Sequence, residues 1–130
     1  MPAPLGTTPT RKMPNIQVFG TMDSAATRAA VRFFRERRIV VRFIDLHGKA
    51  PAAAELRRFV DRLGAAALLD TEGRAYREAP TATLATGPGG LVAAILADVR
   101  LLRLPLVRHG DDMTAGTDEA TWSSWLARPR

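Results

Sequence analysis

The chain has 130 residues, of which 46% are hydrophobic and 25% charged, the composition of one globular domain rather than of a disordered polymer. It holds no cysteine, which excludes disulfides, thiolate metal sites and every cysteine-based nucleophilic or redox mechanism. Seventeen arginines and two lysines against thirteen acids leave a net charge of +6, a balance that suits an anionic partner, although dispersed arginine is first of all a solvated surface.

Residues 1–14 carry four prolines and no periodicity, so the sequence predicts a flexible N-terminal tail before a single domain over residues 15–128. Ile16–Phe19 is a short β-rich run closed by Gly20 and predicts a buried strand. Asp23 or Ser24 is placed to cap the helix that follows. On that helix Ala26, Ala30, Phe33 and Phe34 form one apolar stripe, and Arg28, Arg32 and Arg35 fall opposite it. Ile39–Ile44 predicts a second strand, which makes a parallel βαβ unit. Pro51 suits the first turn of a helix reaching Leu63, with Leu56, Phe59, Val60 and Leu63 inward and Gly64 as the break. Ala65–Leu69 predicts a helical turn, and Asp70–Gly73 a tight turn.

Pro80–Gly90 reads as a loop ending in Gly87-Pro88-Gly89-Gly90, and Leu91–Leu102 as a helix. Pro105–Arg108 predicts a strand, Gly110-Asp111 a hairpin turn and Met113–Ala115 the returning strand. Thr117 is expected to cap a last helix toward Ala127, with Asp118 and Glu119 suited to its N-terminus. The order is β-α-β, helices, β-β-α: an α/β, thioredoxin-like fold with a helical insertion and a mixed four-stranded sheet. No apolar run approaches the roughly 20 residues that span a bilayer. No secretory signal is evident. The expectations are therefore a cytoplasmic protein with no membrane association and no direct nucleic-acid binding.

Three segments carry a family resemblance. Ile16-Gln17-Val18-Phe19-Gly20-Thr21-Met22-Asp23-Ser24-Ala25-Ala26-Thr27-Arg28 resembles the first strand and active-site helix of the arsenate reductase (ArsC)/Spx family. Leu68–Glu78 resembles its Leu-Leu-Asn-Thr-x-Gly segment. Pro105–Arg108, followed by Gly116-x-x-Glu119 and Trp122, resembles its terminal hairpin and helix. The resemblance runs from about Ile16 to Ala127. It implies a cis peptide before Pro105.

The departures bear on chemistry. By the resemblance, the redox cysteine belongs at the start of the first helix, where Ser24 stands, and the second cysteine of the regulatory members belongs at Thr27. A helix N-terminus lowers a thiol's pKa and makes the thiolate nucleophile; a serine hydroxyl there stays protonated without a base and forms no disulfide. The resemblance places the three oxyanion-binding arginines of arsenate reducers at Asp70, Leu104 and Gly116. An arsenate dianion needs those bidentate donors. Arg103 is one residue away from the second, but such a shift in extended chain turns the side chain to the other face.

No Ser-His-Asp order links Ser24 to His47 or His109, and the two histidines lack a third metal ligand, so no metal site is expected. Gly87–Gly90 lacks the P-loop lysine of a phosphate cradle. Trp122 and Trp125 read as core. Arg28 matches a basic residue that the family carries four positions after the nucleophile; its plainer reading is a surface arginine paired with Glu36 or Asp23. The main chain of Leu104, before Pro105, is placed to pair with an extended peptide or thiol.

The sequence thus predicts a domain of the ArsC/Spx type, lacking its redox cysteine, that acts as a non-catalytic binding or regulatory module with no confident catalytic residue. Its groove would be Met22, Asp23, Ser24, Arg28, Leu104 and Pro105, with the Arg28–Arg32–Arg35 face of the first helix as the other surface for an acidic partner; its ligand would be a protein partner or a glutathione-like thiol or peptide, and it would need no cofactor. The Spx branch implies regulation through RNA polymerase. The alternative is an arsenate reductase-family or glutathione-dependent thiol oxidoreductase whose nucleophile was replaced by Ser24, with glutathione as its cofactor.

Overall fold

The computed structural model describes residues 16–47, 51–79 and 87–127; the expected tail at 1–14 and the first part of the loop expected from Pro80 lie outside the described residues. Strand β1 is Ile16–Gly20, and helix α1 is Ala25–Glu36. Strand β2, Val41–Asp45, starts two residues later than the sequence suggests and ends one later. Helix α2 is Ala53–Leu63, so Pro51 precedes the helix rather than entering its first turn. A 3-10 turn over Ala65–Leu68 follows. A short helix α3, Arg74–Glu78, has no counterpart in the sequence reading.

The largest correction concerns helix α4, which spans Gly87–Ala97 instead of Leu91–Leu102. Three glycines and a proline are the poorest helix formers, so propensity argues against this first turn. The helix is held by its inner face, where Leu91, Val92, Ala94 and Ile95 are buried, and burial of that size outweighs local preference. It stops where Asp98 turns extended and accepts a hydrogen bond from the Arg100 amide, capping a separate 3-10 turn, Val99–Leu101.

Strands β3 (Leu106–His109) and β4 (Asp112–Ala115) form the expected hairpin, and helix α5 is Glu119–Ala127. Asp118, not Thr117, caps α5: its carboxylate accepts from the Thr121 amide at 3.2 Å and from the Thr121 hydroxyl at 2.8 Å.

The strand order is β2-β1-β3-β4. β1 runs parallel to β2, with Val18 opposite Phe43, and antiparallel to β3, with Val18 opposite Val107. Alternation along β1 divides the interior in two. Ile16 and Val18 face α1 and α5, packing with Phe33, Phe34, Val107, Trp122 and Trp125. Phe19 faces the other way, into Leu56, Phe59, Leu68, Ile95 and Leu106. Trp122 is among the largest fully buried side chains. Its indole N–H donates to Thr114 Oγ1 at 2.8 Å, so its polar edge costs nothing inside the core.

Gly20 joins the sheet to α1. A methyl group there would lie 2.4 Å from Thr27 Oγ1. Thr27 is fully buried, so only a residue without a side chain lets the helix approach the strand end this closely.

Candidate functional site

Helix α1 begins beside the C-terminal ends of β1 and β2. Ser24 is its N-cap in an extended conformation, and its hydroxyl accepts from the Thr27 amide at 3.2 Å. Of the two capping candidates, Asp23 and Ser24, it is Ser24 that caps. Among the described residues this is the one hydrogen bond of the Ser24 hydroxyl. A Ser nucleophile requires a base within hydrogen-bond reach, and none is in contact with this oxygen.

Ser24 opens onto a cleft of about 420 Å³ whose walls include Thr21, Asp23, Asp70, Arg100 and Leu104. A second lobe of about 530 Å³ continues past Arg100 to Leu46, His47, Asp98 and Val99. The peptide bond between Leu104 and Pro105 is cis. Leu104 lines both lobes, and Pro105 is buried behind it.

The fold therefore gathers Asp23, Ser24 and Leu104 around one cleft. It sends Met22 and Arg28 elsewhere, to a shallow groove on the outer face of α1. Arg28 pairs with neither Glu36 nor Asp23 through a hydrogen bond; its guanidinium donates to the Met22 carbonyl at 2.6 Å. Arg103 is not a wall of the cleft. Its stem lies 2.8 Å from where a side chain on Gly116 would begin, and its guanidinium donates to the Leu69 carbonyl at 3.3 Å.

The charge of the cleft is mostly negative. A hydrogen bond from Thr21, and then Asp23's own amide, hold the Asp23 carboxyl below the ordinary carboxylate value, with smaller help from the His47 and Arg28 charges. The guanidinium of Arg100 does the same for Asp98. Arg100 was not legible as a cleft residue from its position in the sequence. It donates through Nε and a terminal nitrogen to both oxygens of Asp98, at 2.9 and 2.8 Å, and that pairing raises its own pKa further. Arg100, the one arginine among the described cleft walls, thus spends its planar donor edge on a neighbour, while Asp70 has no ion-pair partner there and Asp23 has only the weaker influence of His47.

A serine cap and three carboxylates around one paired arginine can hold an extended chain or a cation. They supply neither a thiolate nor a fork of donors for an oxyanion. No group of three or more metal-ligating side chains occurs among the described residues.

The ArsC family matches residues 19–125. No curated protein matches the chain. Among solved structures, the YFFB (PA3664) protein superposes with a TM-score of 0.80 at 18% identity, over 86% of this chain and 99% of that one. SACOL0876 from Staphylococcus aureus COL gives 0.73 at 23% identity, over 86% and 99%. An arsenate reductase from Vibrio cholerae gives 0.70 at 17%, over 79% and 90%. At such identities the likeness is one of fold, α/β and thioredoxin-like. With the family match running from β1 into α5, the chain belongs to the ArsC family.

Proposed function

We propose that this protein is a non-catalytic member of its family, a binding or regulatory module that holds an extended protein segment in the cleft between the start of α1 and the cis proline. The observation that carries this reading is the state of residue 24: a serine hydroxyl engaged as a helix cap, with no base beside it, where the family's chemistry needs a thiolate. Leu104 supports the binding half. Its main-chain N–H and C=O make no hydrogen bond among the described residues, so a peptide can pair with them as it would with a sheet edge. The excess of carboxylates favours a basic segment over glutathione, which is anionic. A cytoplasmic location belongs to this reading, and so does an Spx-like regulatory role; no helix among the described residues is long and apolar enough to cross a membrane.

The test is a titration of isotope-labelled protein, followed by backbone amide shifts, with a short acetylated peptide of alternating lysine and valine and, in parallel, with reduced glutathione. The peptide is expected to move the Ser24 and Leu104 amides, and glutathione to leave them in place. Glutathione moving those amides while the peptide does not would overturn the reading.

A further inference from the structure

The positive charge of this molecule is concentrated on one helix and its exit. Six arginines and one glutamate lie between residues 28 and 42. Arg28, Arg32 and Arg35 line a groove of about 410 Å³ on the outer face of α1, together with Met22, Val31 and Glu36. Seven residues of helix separate the first of these arginines from the last, so the guanidinium row extends about 10 Å. Arg38 continues it at the helix exit, in a left-handed conformation (φ 62°) that glycine would adopt without strain.

Most of these arginines have no work inside the chain. Arg37 is occupied, stacked 3.7 Å over the Phe33 ring, and Arg28 is tied to Met22. Arg32, Arg35 and Arg38 form no ion pair among the described residues, and neither does Glu36. Nor can the remaining segments neutralise them. All thirteen Asp and Glu residues fall within the described residues, so residues 1–15, 48–50, 80–86 and 128–130 bring none. Among the described residues these guanidiniums are left to solvent, and the carboxylates of a partner would pair with them.

Its chemistry follows from the floor of the groove. Met22 is 45% exposed and forms the apolar floor, to which Val31, a core residue only 4% exposed, adds no more than an edge. Nucleic-acid phosphates need only the guanidinium row. An amphipathic helix with carboxylates along one edge and a leucine beside them uses the row and the apolar floor together.

We propose that the outer face of α1 is a docking surface for an acidic amphipathic helix of a partner protein, with its carboxylates on Arg28, Arg32 and Arg35 and an apolar side chain on the exposed Met22. This surface is separate from the cleft at Ser24 and stands whether or not that cleft binds peptide.

The experiment uses the full chain and a fluorescent helical peptide with glutamates at i, i+4 and i+7 and leucines adjoining them, read by anisotropy. Binding is expected to weaken as salt rises, and by about tenfold or more in the double variant Arg32→Glu, Arg35→Glu. The double variant Arg57→Glu, Arg58→Glu, which makes the same charge change on α2, should bind within about twofold of the parent. Circular dichroism checks that both variants are folded. Four results would each overturn the proposal: no binding; equal binding of a peptide with its glutamates scattered around the helix; tighter binding of a DNA duplex with the same arginine dependence; or a change of oligomeric state in the Arg32/Arg35 variant, which would make a second copy the occupant.

Discussion

At the scale of single residues, a few atoms decide which chemistry the start of α1 can support. A cysteine in place of Ser24 would sit on the first amides of α1, which contact the sulfur directly, whereas Asp23 is solvated and its repulsion screened. The variant S24C is therefore expected to alkylate with a thiol pKa below the ordinary value of about 8.5, and, on the proposed reading, still to reduce no arsenate, because the family resemblance places its anion-binding arginines at Asp70, Leu104 and Gly116. A pH profile of iodoacetamide labelling reads the first part; an ordinary thiol would mean that the helix start does not face position 24 as described. Thr114→Val leaves the Trp122 indole N–H buried without its 2.8 Å acceptor, a loss of about 1–3 kcal/mol in urea unfolding. Gly20→Ala drives a methyl into the buried Thr27 side chain, and overpacking of this kind costs about 1–3 kcal/mol. The companion change Thr27→Ser should recover part of that cost, since it removes one of the clashing groups.

At the scale of elements, hydrophobic periodicity revealed most of the fold. The stripe on α1, the inward positions of α2 and the apolar runs of β1 and β3 name their own buried faces, because one face of each element must meet the sheet. The family resemblance added the cis peptide at Pro105, which no periodicity contains. What periodicity could not disclose was set by distant contacts. The first turn of α4 is helical against the preference of Gly87, Pro88, Gly89 and Gly90, because residues further along it are buried. Arg100 enters the cleft only because Asp98 breaks that helix and folds the chain back. The cap of α5 went to Asp118 over Thr117, a difference of one residue between two good capping types. Asp118→Ala should therefore cost about 1 kcal/mol and Thr117→Ala much less; equal losses in thermal unfolding would contradict the assignment.

At the scale of the whole molecule, charge is divided between two surfaces. Arginines gather on the outer face of α1, and carboxylates gather in the cleft at its N-terminal end. The division has a consequence for stability. Asp98 titrates below its ordinary value of 3.8 because Arg100 binds its charged form. The unfolded chain therefore takes up more protons in this range, so the small, solvent-screened contribution of this pair is full well above the unfolded value and is lost as pH falls through the folded one. Urea midpoints between about pH 5 and pH 3 should fall more steeply for the parent than for Asp98→Asn; equal slopes would mean that the pair does not persist in solution.

A family scaffold retained without sulfur or anion clamp is the center of this account, and turnover tests it most directly. The purified parent protein should reduce neither arsenate with glutathione nor a small disulfide with reduced thioredoxin, giving rates equal to a buffer blank. A protein-dependent rate above that blank, proportional to enzyme concentration and surviving repurification, would contradict it.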